Sequence, residues 1–198
     1  MSLLTPARLK AFAPKAAPAI LAAILDGQAE IAAAGILMSG ERLALFLAHV
    51  FHETGGLRQL EENLSYSATR LTQVWPSRFP SIASAKPFAK APEKLANRVY
   101  GGRLGNTEPG DGWRYRGSGM LQTTGRSNFR EAGHEADPET LRSPAGALAS
   151  ALVFWGKHGL NPLADQGAVT RSRKVIQGAD GGLAEVKAAY SRAKKIFT

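Results

Sequence analysis

The stretch 39-SGERLALFLAHVFHETGGLRQLEEN-63 decides how this chain is read. Ser39 is placed to cap a helix, and Glu41 falls in the first turn, where the helix dipole favours an acid. Leu43, Phe46, Leu47, Val50 and Phe51 recur at i, i+3, i+4, i+7 and i+8, an amphipathic signature. Gly55-Gly56 ends the helix. Leu45, His49, His52 and Glu53 share the face opposite the apolar stripe, which is expected to line a cleft. Two acids stand out: Glu53 in the last turn and Glu62 nine positions on. On one continuous helix nine residues rise ~13 Å and rotate about 180°, which sets the two carboxylates on opposite faces. The glycine pair breaks that helix, and a chain that reverses there can bring the acids within the ~5–10 Å that glycosidases use. A carboxylate at a helix C-terminus meets the negative end of the dipole, which suits a proton donor. The alternative is that both acids only solubilise a helix end and a loop.

The 198 residues suit a single domain with a sizeable core, residues 1–198. Cysteine is absent, which excludes a disulfide framework and a Cys-ligated zinc. The formal charge of +9 draws the chain to polyanions: nucleic acid, an anionic lipid surface or an anionic wall polymer. From Arg171 to Thr198 seven Lys and Arg oppose two acids, a run read as a solvated helix face. Arg8, Lys10 and Lys15 precede the apolar 19-AILAAIL-25, but Pro6, Pro14 and Pro18 interrupt and Asp26 follows. An ordinary amphipathic helix is expected there rather than a cleaved signal, so synthesis in the cytoplasm and release by another route are expected. No run approaches the ~20 apolar residues of a membrane span.

The remaining pattern is helical nearly throughout. Helices are expected over 18–34, 67–75, 92–100, 125–133, 143–157, 170–176 and 182–197. The glycine-rich 101-GGRLGNTEPGDGWRYRGSG-119 reads as a long irregular connection with at most a short hairpin, and Trp113 and Tyr115 argue that it is ordered. A zincin needs H-E-x-x-H, but Gly56 stands four after His52. His49 and His52 have no marked third ligand, so no metal and no cofactor are expected.

Beyond these local features, HETGG, then Glu62-Asn63, then 64-LSYSA-68 resembles glycoside hydrolase family 19, which holds chitinases and phage-type endolysins. The similarity continues through 97-NRVYGGRLGN-106, 115-YRGSGMLQTTGRSNF-129 and 152-LVFWGKHGLNPLAD-165. It implies a mainly α, lysozyme-like domain of two lobes with a central substrate cleft. It also implies inverting hydrolysis of β-1,4 links beside an N-acetylated sugar. By position, Glu53 is implied as general acid, Glu62 as general base, and Thr124 as the hydroxyl that helps hold the attacking water. Inversion needs ~6.5–9.5 Å between the carboxyl groups to admit that water. Gln122 and Asn128 match polar sugar-binding positions, and Glu61 is left as a bystander beside Glu62. His52, next to Glu53, is counted as a substrate contact. Tyr66, Trp113 and Tyr115 can offer ring faces to sugars, with core packing the alternative for each; Trp155, in its apolar helix, is read as core.

Three positions depart from the family pattern. Ser118 stands where Arg is common, Gln177 in 175-VIQGADGG-182 where Asn is frequent, and Val186 where Arg is frequent. Chitin and peptidoglycan both present the same kind of link. The basic charge favours anionic peptidoglycan and a role as an endolysin acting as a monomer at the cell wall or periplasm, with possible-partner surfaces limited to the anionic envelope and no specific nucleic acid. The alternatives are a chitinase, a non-catalytic basic wall-binding module, and a metal-dependent wall peptidase.

Overall fold

The computed structural model describes residues 2–178 and 181–198. Its α-helices, in chain order, are α1 (Pro6–Phe12), α2 (Pro18–Asp26), α3 (Gln28–Ala33), α4 (Gly40–Glu53), α5 (Ala68–Val74), α6 (Ile82–Ala85), α7 (Pro92–Tyr100), α8 (Asp111–Arg114), α9 (Arg126–Glu131), α10 (Pro144–Lys157), α11 (Leu160–Asp165), α12 (Val169–Gln177) and α13 (Leu183–Phe197). Isolated bridges link Ser118 to Glu61 and to Thr123, and no hairpin forms within 101–119. The helix expected over 18–34 is two helices. They part at Gly27, where Leu148 presses so close that a Cβ would lie 2.4 Å from its Cδ2. Among the described residues no helix is long and apolar enough to cross a membrane.

The chain divides into two compact units. One comprises Met1–Leu60, Gly119–Gln122 and Glu139–Thr198; the other comprises Glu61–Ser118 and Thr123–Pro138.

The first unit is built round α4. Ser39 Oγ accepts the Arg42 N–H at 3.2 Å, so the N-terminus is capped as its sequence implies. The expected one-sided stripe is too narrow a description. All eight residues from Leu43 to Val50 are buried, including Leu45 and His49 from the face assigned to a cleft. The reason is tertiary: α13 lies along α4, and α11 also packs on it. A helix buried all round has no free polar face. Phe46 meets Trp155 edge-on at 5.3 Å between ring centroids, and Phe12 sits between Phe51 and Phe197 at 5.2 and 5.9 Å. Trp155 is wholly buried, and its indole N–H donates to Asn161 Oδ1 at 2.8 Å, so it is core. Emptying such a position, as in Phe46→Ala, costs about 3–5 kcal/mol.

The second unit has its own core of Leu64, Leu71, Phe79, Ala85, Leu95, Ala96 and Val99. Its long connection is ordered by side chains that serve backbone groups. Asn97 Oδ1 accepts the Trp113 N–H at 2.9 Å. Asn106 donates to the Tyr100 carbonyl at 3.0 Å and accepts the Arg126 N–H at 2.8 Å. Asp111 takes two hydrogen bonds from Arg126, at 2.6 and 2.9 Å. These contacts hold a segment that has almost no regular structure of its own.

Candidate active site

In the first unit Glu53 is the last residue of α4. The helix stops there because Thr54 Oγ1 turns back to the Val50 carbonyl and the Gly56 N–H bonds to the Phe51 carbonyl at 2.7 Å. The Glu53 carboxylate does not simply end in solvent. Arg173 of α12 donates from Nη1 to Glu53 Oε1, and from Nε to the Gly181 carbonyl at 2.8 Å. Arg173 is 1% exposed. The basic run from Arg171 is therefore not a uniformly solvated face: one of its arginines is buried because a carboxylate and a carbonyl satisfy it. Glu53 Oε2 accepts no hydrogen bond among the described residues.

Two histidines stand behind this pair. Ser172 Oγ donates to the Val169 carbonyl at 2.9 Å, so it accepts the proton on His49 Nε2, also at 2.9 Å. That assigns the tautomer and leaves His49 Nδ1 without a hydrogen-bond partner among the described residues. Burial, then the charges of Arg173 and His52, bring His49 down to about 3, so the ring is neutral. Burial also lowers His52, against the pull of Glu53; Arg173 adds to the fall and Glu185 opposes it. Gln122 adopts the left-handed region at φ 53, and its amide nitrogen donates to the Gly119 carbonyl at 3.2 Å. A non-glycine residue held there stores backbone strain of about 1 kcal/mol, as at Leu57, Lys90 and Leu104.

In the second unit Glu62 is fastened at both ends. Its N–H donates to the Gly117 carbonyl at 3.0 Å. Its Oε1 accepts the Gly117 N–H and its Oε2 accepts the Tyr100 hydroxyl, each at 2.6 Å. Burial, then the Glu62 charge, pushes the Tyr100 phenol far above its ordinary value, so Tyr100 stays a donor. Neighbouring Glu61 points to a different partner. It takes 2.6 and 3.0 Å hydrogen bonds from Arg116, whose guanidinium lies 3.8 Å from the Trp113 ring centroid.

The other expected site residues fare unequally. Tyr115 is 2% exposed, stacks on Phe129 and donates to the Glu135 carbonyl, so its ring belongs to the core rather than to a sugar platform. Tyr66 and Trp113 are half-buried, with Tyr66 edge-on to Trp75 and Trp113 beneath Arg116. Thr124 and Asn128 adjoin: Asn128 Nδ2 donates to the Thr124 carbonyl at 2.7 Å. Ser118 is wholly buried with its hydroxyl on the Arg116 carbonyl, and Val186 is core, so neither position has room for an arginine. Of 175-VIQGADGG-182, Ala179 and Asp180 lie outside the described residues.

Three residues escaped the reading of the sequence: Arg173, Tyr100 and Gly117. Tyr100 and Gly117 lay within the quoted blocks without a role, and Arg173 was hidden in the basic run. Among the described residues no group of three or more His, Asp or Glu side chains is gathered as a metal site.

No protein-family profile matches the sequence. A glycosyl hydrolase family 19 domain-containing protein of Haemophilus influenzae is 36% identical over 148 residues, 72% of this chain and 73% of that protein. Chitinase C of Streptomyces griseus shares the fold with a TM-score of 0.66 at 18% identity, over 99% of this chain and 77% of its own. A class IV chitinase of Zea mays does so with a TM-score of 0.53 at 18% identity, over 100% and 92%. The helical lysozyme-like fold and the sequence relationship define a glycosidase. The chain belongs to glycoside hydrolase family 19.

Proposed function

We propose that the chain is an endo-acting hydrolase of β-1,4 links in N-acetylated glycans, working by inversion with two glutamates. Glu53 protonates the leaving oxygen, Glu62 takes a proton from the attacking water, and the Thr124 hydroxyl helps to hold that water. The observation that carries this reading is the contrast between the two carboxylates. Glu53 has one oxygen held by Arg173 and the other without a hydrogen bond among the described residues. That oxygen is the one to carry a proton to substrate. Glu62 accepts a donor at each oxygen, and each oxygen keeps a lone pair for a water.

The natural substrate in this reading is peptidoglycan, cut by a monomeric endolysin at the cell wall or periplasm. The net charge of +9 supports an anionic wall polymer over neutral chitin. The second reading, chitin hydrolysis, draws support from the two chitinases that share the fold.

Product analysis tests the whole reading. Purified peptidoglycan and chitin oligosaccharides are incubated with wild type, Glu53→Gln and Glu62→Gln, and reducing ends and their anomeric form are followed by NMR. Each substitution is expected to lower kcat by about 10²-fold or more, with an α-anomeric first product from wild type. A β-anomeric product, or full activity in both variants, would sink the two-carboxylate mechanism.

A further inference from the structure

At the end of α4 a cavity of about 230 Å³ opens, lined by Phe51, His52, Gly55, Gly56, Arg58 and Glu185. All six residues belong to the first unit. The volume is below the ~300–1,000 Å³ of a site that engulfs a whole ligand, so it suits a single residue-sized group. Gly55 and Gly56 adopt φ 58 and 94, and the Phe51 ring and the Arg58 guanidinium lie over them.

On α13 Lys194 pairs with Glu41, and the Arg192 guanidinium lies 4.3 Å from the Phe51 ring centroid. Arg58 donates from Nε to the Gly55 carbonyl of its own loop, and among the described residues its terminal nitrogens meet no carboxylate. Glu185, in the first turn of α13, has no hydrogen bond or ion pair among the described residues. A small cavity lined by a guanidinium, by a carboxylate that faces His52 and by an aromatic ring complements a group with both charges on a short apolar stem.

We propose that this cavity binds a zwitterionic amino-acid group on the peptide branch of the glycan, its carboxylate on Arg58, its ammonium on Glu185 and its methylene stem against Phe51. The identity of the branch rests on the peptidoglycan reading above. The site deepens that reading, because chitin carries no peptide and offers neither charge. His52 lines the cavity and precedes Glu53 in the chain.

The test begins with binding, independent of catalysis. A soluble stem peptide that ends in a diamino acid with a free amine and carboxylate is titrated into ¹⁵N-labelled protein. The same peptide with that amine acetylated, and a chitin oligosaccharide, serve as controls. The free peptide is expected to shift the Gly55 and Gly56 amides, and Glu185→Gln or Arg58→Gln to weaken its Kd about tenfold, as the loss of one charge-assisted contact does. Both residues are exposed, so these variants keep their fold. No shift at saturating peptide, or equal binding of the acetylated peptide, would overturn the site.

Hydrolysis then separates the two claims. With peptidoglycan that keeps its peptides, both variants are expected to raise KM about tenfold. With the same glycan stripped by an amidase, their KM should match wild type. An equal loss on the stripped glycan would show a sugar subsite and overturn the inference. If wild type cleaves chitin alone, the wall-substrate reading fails, and the peptide titration still decides the cavity on its own.

Discussion

Arg173 donates to Glu53 across 120 positions of sequence and joins α12 to the last residue of α4. The same guanidinium holds the Gly181 carbonyl at 2.8 Å. A lysine keeps the charge but offers no planar fork for two acceptors. Arg173→Lys is therefore expected to lower kcat about tenfold with little change in KM, because Glu53 loses its fixed orientation. Arg173→Ala also strips a buried pair of one partner, which costs about 3 kcal/mol of stability. Steady-state kinetics and urea denaturation check the two outcomes, and an unaltered kcat in both variants would contradict a positioning role.

Tyr100 bears on the other carboxylate. Its hydroxyl reaches Glu62 at 2.6 Å, while its ring packs against the core of the second unit. Tyr100→Phe keeps the ring and removes the donor. The expected result is a fall in kcat of about tenfold, matching one lost hydrogen bond to a charged group of ~1.5 kcal/mol. The melting temperature should move by only a few degrees. A drop in stability with intact kcat would make the contact structural.

His49 gives the pH prediction. Its folded-state value is about 3 against an ordinary 6.5, through burial first and then the Arg173 and His52 charges. Below pH 6.5 the unfolded chain binds a proton that the folded chain refuses, so stability is lost as pH falls from about 6.5 towards 3. Between pH 7 and pH 5 this one group should remove about 2 kcal/mol. Denaturation curves of wild type and His49→Gln at both values test it. The variant should be less stable at pH 7 and should show a smaller drop on acidification.

Gly182 separates backbone strain from a clash at the site. It sits at φ 73, and a Cβ there would come 2.2 Å from His52 Nε2 and 3.2 Å from Arg173 Nη2. Gly159 has φ 60 with nothing within 4 Å of its added Cβ. Gly159→Ala should cost only the left-handed penalty of ~1 kcal/mol and leave kcat unchanged. Gly182→Ala should cost at least as much in stability and also depress kcat several-fold, because His52 and Arg173 must both move. Equal activity of the two variants would exclude that coupling.

The reading of local features went far, because their physics is local. Ser39 and Gly55-Gly56 start and stop α4 through bonds that reach three to five residues, and such bonds are encoded in neighbouring positions. A short motif also singled out Glu62 over Glu61 as the candidate, and in the structure Glu62 is held by Tyr100 and Gly117 and Glu61 by Arg116. The reading of faces fared worse. A hydrophobic stripe says which side of a helix must be covered, not that the other side stays open. On α4 the second side was covered as well: α13 packs along the helix, and His49 is closed off by Ser172 of α12 and the Trp155 ring of α10.

Sequence by itself determined a helical chain, the ends of α4, the two candidate carboxylates and the family they resemble. Tertiary structure alone decided which groups serve those carboxylates. Arg173 and Tyr100 reach Glu53 and Glu62 from 120 and 38 positions away. An arginine in a basic run and a tyrosine at a helix end look like many others until folding removes their water. A buried donor must then find an acceptor, and these two found the acids.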